Sequence, residues 1–267
     1  MVSLEVLTQT FEELWPISLS EEWDRPGLTF GSKSADISKV LLSVDVTTAV
    51  LNEAIAQKAQ LILAHHPVML RGVTALGEDS IKGNLATLAI KHDIAVFTAH
   101  TNADRAEVGT ASALANLLGV DALATLDQVS GHGFVANLPV PETLLSFSTR
   151  LAKLLPSVAA GLKVAGDPEL EVKRIAFAPG AGDSFLTAAL ASGADVFITS
   201  DLRHHPAQDF LENNEVGRSV ALIDISHWAA ESLWLPLAQK ELMKRHPQVE
   251  FVVSDVRTDP WDFAVMQ

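Results

Sequence analysis

The chain has 267 residues, 48% hydrophobic and 19% charged, so it can bury a sizeable core and is not a disordered polymer. Its 33 Asp and Glu outnumber 19 Lys and Arg, and a formal net charge of −14 argues against a surface that binds nucleic-acid phosphates. With no cysteine, disulfides, Cys-ligated zinc, iron–sulfur clusters and thiol nucleophiles are excluded, so any metal must be held by His and carboxylates.

Leu4, Val6, Leu7, Phe11, Leu14 and Trp15 recur at roughly helical spacing, and Pro16 ends that first helix. A turn-rich stretch, WDRPGLTFG, follows over residues 23–31. Val40–Val46 is a compact apolar run suited to a buried strand, and Thr47 or Thr48 can cap the next helix. Leu61–Ala64 predicts a second buried strand, which leads directly into His65-His66-Pro67. A helix over 81–92, a strand over 94–98 and the sequence AHTNADRAEVGT come next.

Between Leu126 and Pro141 the pattern changes to short strand-like pieces, and a helix is expected over 141–155. The strand–helix rhythm then resumes with a strand over 172–178, the turn PGAGDS, a helix over 185–191 and strands over 196–199 and 220–225. A single helix from Ser226 to about Arg245 and a last strand over 249–256 complete the reading. Strands alternating with helices imply an α/β fold of two lobes with largely parallel or mixed sheets. The expected lobes are residues 1–128 and 129–267, and a second His-His-Pro at 204–206 hints at internal duplication. The N-terminal stretch has no signal-like region and no apolar run nears the ~20 residues that span a bilayer, so a soluble, cytoplasmic protein is expected.

Ligands in open α/β sheets bind beyond the carboxyl ends of the strands. Six of the 9 histidines fall there: His65, His66, His100, His204, His205 and His227. Adjacent residues of an extended segment point to opposite sides, so His65 and His66 are expected to serve two neighbouring ions rather than chelate one. His227 and Glu231 share a helix face, and His100 and Asp104 have the same spacing. Imidazole and carboxylate suit zinc, iron, manganese or similar divalent ions. Each motif alone has a plainer reading, as a surface pair, a solvated i,i+4 pair or a helix cap; their joint placement at strand ends favours a metal site in the cleft there. Gly180-Ala181-Gly182 begins like a dinucleotide fingerprint, but Phe185 stands where the third glycine belongs, so a plain Rossmann-type binder is disfavoured. Ser184 lacks a G-x-S-x-G context, and Trp23, Trp228 and Trp234 read as core or interface residues.

Taken together, WDRPGLTFG, SVDVTTAVLNEAI, LAHHPVML, KHDIAVFTAHTNAD, GADVFITSDLRHHPA and IDISHWAAESLWLP make the chain resemble, nearly end to end, the Nif-three-like family of GTP cyclohydrolase I type 2 homologues. The resemblance implies two divalent metal ions per chain, held by His65, His66, Asp104, His227 and a bridging Glu231, with helix 226–245 completing the site. It also implies a toroidal homohexamer. Four positions depart from the family pattern: Arg25 replaces an Asn, Ser200 a Gly, and Ser226 and Trp228 flank His227 where Gly and Tyr are expected. The implied chemistry is metal-dependent hydrolysis by a bridging hydroxide, acting on a nucleotide or another small cyclic or phosphorylated substrate. His100, His204 and His205 are candidates for proton transfer or phosphate contact, and Asp201 for orienting one of them. The competing expectation is a non-catalytic, metal-binding, ring-forming interaction or regulatory protein. No nucleic-acid or membrane partner is expected.

Overall fold

The computed structural model describes residues 1–214 and 220–265. Small hydroxyl residues open its helices: Ser3, Thr47, Ser80, Thr143 and Ser226 each accept a hydrogen bond from the backbone N–H three residues on, satisfying a donor the helix itself leaves unpaired. The first elements are β1 (Val2–Ser3), α1 (Leu4–Leu14), β2 (Gly27–Phe30), β3 (Asp36–Ile37), β4 (Lys39–Ser43), α2 (Thr48–Gln57), β5 (Leu61–Ala64), α3 (Ile81–Lys91), β6 (Ala95–Thr98) and α4 (Thr101–Arg105). The chain continues through α5 (Thr110–Leu118), β7 (Ala122–Thr125), β8 (Phe134–Thr143), α6 (Leu144–Leu154), β9 (Lys163–Ala165) and β10 (Glu171–Ala181). It ends with α7 (Leu186–Ala191), β11 (Val196–Ser200), α8 (His204–Asn214), β12 (Ala221–Ile225), α9 (His227–Ser232), α10 (Trp234–Arg245) and β13 (Glu250–Val253).

The chain divides into two units. The first comprises Met1–Gly109 and Trp234–Thr258. Its sheet has the order β13-β4-β5-β6-β2, with β2 antiparallel at one edge and the other strands parallel. Strands β5 and β6 are buried along their whole length, which explains why they read as continuous apolar runs rather than alternating ones. Leu41, Ile62 and Val96 pack on one face against Val50 and Leu51 of α2 and Leu85 of α3.

The second unit comprises Thr110–Leu233 and the stretch from Asp259 onward. Its sheet runs β7-β8-β10-β11-β12-β9, with β10, β11 and β12 parallel and the remaining pairs antiparallel. Ile175, Phe177, Ile198 and Ile223 pack with Phe147 and Leu151 of α6; Ala176, Phe197 and Leu222 line the opposite face with Phe210 of α8. The α/β class with mixed sheets is thus the observed one. Among the described residues no helix is long and apolar enough to cross a membrane.

Three details differ from the sequence reading. The division falls after Gly109 rather than at 128/129, because β7 pairs with β8 of the second sheet. The chain also returns to the first unit after Leu233, because β13 pairs in parallel with β4. Finally, the helix expected over 226–245 is two helices that break at Leu233, which sets Pro236 in the first turn of α10, where its missing N–H is not needed.

Candidate functional site

Because β4, β5 and β6 run parallel, the residues that follow them gather at one end of the first sheet. Past β5, the His65 N–H donates to Ser43 O at 3.1 Å and the His66 N–H to Val44 O at 2.8 Å, so the backbone keeps its hold on the neighbouring strand's end. The two imidazoles do not diverge. Their centroids lie 5.0 Å apart, and each is within 5.5 Å of the His100 ring. One ligand atom from each of His65, His66 and His100 falls within 4.8 Å of the others, so the expectation that the first two face away from each other does not hold. The chain leaves extended geometry after Ala64, and strict alternation ends with it.

His100 caps α4. Asn102 accepts from the His100 N–H at 2.9 Å and donates to Trp15 O at 2.7 Å, which fixes the start of the helix. The helical turn brings Asp104 Oδ1 to 3.6 Å from Nε2 of the fully buried His65. The His65 ring also packs 5.6 Å from the buried indole of Trp234.

Every imidazole here is oriented through Nδ1. His65 Nδ1–H donates to the Ala99 carbonyl at 2.9 Å, His66 Nδ1–H to Asp45 Oδ1 at 2.8 Å and His100 Nδ1–H to Asp24 Oδ1 at 2.9 Å. A ring that donates through Nδ1 carries the lone pair of its neutral form on Nε2, the arrangement in which histidine ligates metals. Asp24 is buried and also accepts from the Thr101 N–H, the Thr101 hydroxyl and the Arg25 N–H. Burial pushes its carboxyl up, but the hydrogen bonds from His100, Thr101 and Arg25 outweigh this and bring it from 3.8 down to about 2.

The second sheet carries a comparable set at the ends of β10, β11 and β12. His227 opens α9; its Nδ1–H donates to Asp201 Oδ2 at 2.7 Å and its Nε2 lies 2.8 Å from Oε1 of the buried Glu231, one turn on. Burial disfavours the His227 cation, but the Glu231 charge and the hydrogen bonds to Asp201 and Glu231 prevail and raise its pKa from 6.5 to about 11. The hydrogen bond from His227 in turn lowers the Asp201 carboxyl. If Nε2 and Glu231 were to hold a divalent ion, His227 would have to give up this proton. Asp201 holds a left-handed backbone (φ 56°), which aspartate tolerates better than most side chains.

Gly180 has φ +86°, and a Cβ there would stand 2.9 Å from Glu231 Oε1 and 3.8 Å from His227 Nε2. The glycine-rich turn therefore makes room for the carboxylate. Gly180→Ala is expected to lower stability by about 1–3 kcal/mol and to displace Glu231, read as a lower urea midpoint.

Of the remaining sequence candidates, Asp201 orients His227 rather than His100, His204 or His205. His204 and His205 stand exposed at the start of α8, their rings 5.1 Å apart. The second His-His-Pro is thus helical and exposed, unlike the first. Trp23 is 57% exposed and meets His100 edge-on at 5.9 Å, so of the three tryptophans only Trp234 is fully buried. The sequence reading missed Asp24, Asp45 and the Ala99 carbonyl as orienting groups. The rule that located the histidines would have found Asp45, which follows β4 by two residues.

Residues 2–260 match the Duf34/NIF3 (NGG1p interacting factor 3) family. This chain belongs to the NIF3 family. A Streptomyces coelicolor relative, named GTP cyclohydrolase 1 type 2 homolog, is 38% identical over 268 residues, covering 96% of this chain and 92% of the relative. The crystal structure of a Staphylococcus aureus protein superposes with a TM-score of 0.88 at 26% identity, covering 98% of this chain and 99% of that one. A Bacillus cereus protein related to NIF3 gives a TM-score of 0.89 at 22% identity over 99% and 100% of the two chains, a likeness of fold. In this NIF3-family chain the Arg25 guanidinium folds back onto the carbonyls of Glu22 and Asp24, and Ser226 caps α9.

Proposed function

We propose that this NIF3-family chain is a metal-dependent hydrolase whose His65, His66, Asp104, His227 and Glu231 hold two divalent ions. One observation carries the reading: His65, His66 and His227, the proposed histidine ligands, each direct Nδ1 to a carbonyl or carboxylate, so that Nε2 is the nitrogen that would ligate. The nitrogen and oxygen donor set fits zinc, iron, manganese or a similar ion, and the acidic residues offset its charge. When bound, such ions polarise substrate oxygens and activate water near neutral pH. The chain's own contribution is orientation. Asp45 and Asp201 hold His66 and His227, while His100, fixed by Asp24, is placed to accept or return a proton. The substrate class is a nucleotide or another small cyclic or phosphorylated compound.

The test is metal content per chain by plasma mass spectrometry, on protein purified without chelator or affinity metal, followed by assay of nucleoside triphosphates with that metal. About two ions per chain and a metal-dependent product are expected. No bound ion after divalent metal is added back would overturn the ligand assignment.

A second reading, a metal-binding, ring-forming interaction protein without turnover, draws on Trp261, Phe263 and Val265. These lie at alternate positions near the C-terminal end and are 64%, 79% and 78% exposed. Under it the protein assembles as a homohexamer and yields no metal-dependent product, and replacing the three by Ser lowers the mass measured by light scattering.

A further inference from the structure

We propose that Thr258 and Asp259 are positioning residues for the metal-ligating imidazoles, Thr258 acting on His66 through Asp45 and Asp259 on His227 through Ser226. The inference rests on the ligand assignment proposed above and assigns a task to a segment with no regular secondary structure.

The chain beyond β13 is held residue by residue. The Ser254 N–H continues the pairing to Leu42 O at 2.8 Å, and the Ser254 hydroxyl and the Asp255 N–H both donate to Glu53 of α2. Four residues past Ser254, the Thr258 hydroxyl donates to Asp45 Oδ2 at 2.5 Å, while Asp45 Oδ1 takes the His66 Nδ1–H at 2.8 Å. The two oxygens of one carboxylate thus have two different tasks. The side chains of Asp45 and His66 are 32% and 26% exposed, so solvent competes for both. Without the threonine hydroxyl, Oδ2 loses this donor and the carboxylate holds the ring less firmly. A hydrogen bond to Oδ2 fixes the torsion that keeps Oδ1 on Nδ1.

One peptide bond further on, the buried Asp259 accepts the Ser226 hydroxyl at 2.7 Å through Oδ1 and the Trp261 N–H at 3.3 Å through Oδ2. Ser226 Oγ in turn accepts the Ala229 N–H at 3.2 Å as the cap of α9, whose first residue is His227. A hydroxyl has a single proton. Spending it on Asp259 leaves the oxygen's lone pairs directed at the helix, so the carboxylate sets the cap and the cap sets the helix start. Consecutive side chains therefore stand behind one ligating imidazole in each unit.

The test compares Thr258→Val, which removes only the hydroxyl, with Thr258→Ser, which restores it. Imidazole nitrogen shifts in long-range 1H–15N NMR report the tautomer, and calorimetric titration with Zn2+ or Co2+ reports affinity. Expected are a His66 ring purely Nδ1–H in the wild type and in Thr258→Ser, a mixture of tautomers in Thr258→Val, and roughly tenfold weaker binding in that variant alone. Asp259→Ala is expected to shift the His227 ring signals and weaken binding similarly, with Asp259→Asn largely restoring both. If Asp259→Ala does not fold, Ser226→Ala removes the same contact. An unchanged His66 tautomer together with unchanged affinity in Thr258→Val overturns the role of Thr258, and unchanged His227 signals in Asp259→Ala or Ser226→Ala overturn that of Asp259. A wild-type protein that binds no divalent ion defeats the ligand assignment instead, and the ring signals then decide the positioning roles by themselves.

Discussion

Under the proposed hydrolase reading, Glu231→Gln is expected to abolish turnover and to weaken divalent-ion binding by at least about 100-fold, since even the groups that only orient a ligand are worth 10–100-fold. The carboxylate is buried at 3% exposure beside the imidazole it contacts, 2.8 Å away, and it is the group assigned to both ions. Glutamine keeps the shape and one acceptor oxygen but removes the charge that would offset two dications. The amide also places a donor where an oxygen is required. Metal content per chain, measured beside the wild type with fold checked by circular dichroism, gives the answer. A variant that retains about two ions at wild-type affinity would show that Glu231 is a structural partner of His227 and no ligand.

Asp24 carries the other large effect, on stability. Asp24→Ala leaves the Thr101 hydroxyl and N–H, the Arg25 N–H and His100 Nδ1–H without the acceptor they share in a nearly fully buried site. Deleting one partner of such a buried, charge-assisted network costs about 3–5 kcal/mol. The same carboxylate gives a pH signature. Its folded pKa is depressed from 3.8 to about 2, so its contribution is complete above 3.8 and is lost as the pH falls through about 2. The shift corresponds to about 2.5 kcal/mol across that window. Urea unfolding of wild type and Asp24→Asn between pH 6 and pH 2 should show a correspondingly shallower acid slope in the variant. Parallel slopes would mean that Asp24 ionises no more readily in the folded protein than in the unfolded chain.

The contrast between buried and half-buried elements explains what the sequence made legible. Strands β5 and β6, buried at every position and almost wholly apolar, stood out as runs at the right places. Strand β8 did not, because Pro139 and Pro141 interrupt it. β7 pairs only with Phe134–Ala136, so the prolines lie where that flank carries no ladder and a missing N–H leaves no bond unmade. At the site, the strand-end rule found the histidines themselves. The groups that orient them were less visible, since the acceptors for His65, His66, His100 and His227 lie 34, 21, 76 and 26 residues away in sequence. A pairing of that kind is created by the order of strands in a sheet and leaves no local pattern to read.

The return of the chain to its first sheet has a consequence for how the protein is made. Residues 110–233 form a contiguous block, so the second sheet can close as soon as that block has emerged from the ribosome. The first sheet must wait to be completed, because one of the two partners of β4 is β13, some 210 residues downstream on the chain. Until Glu250–Val253 is synthesised, the backbone of Lys39–Ser43 presents an open, apolar edge of the kind that captures strands from other chains. The N-terminal half of this protein is thus its last part to be sealed. A ribosome stalled anywhere between residues 110 and 250 would hold a nascent chain that chaperones, rather than its own sequence, must protect.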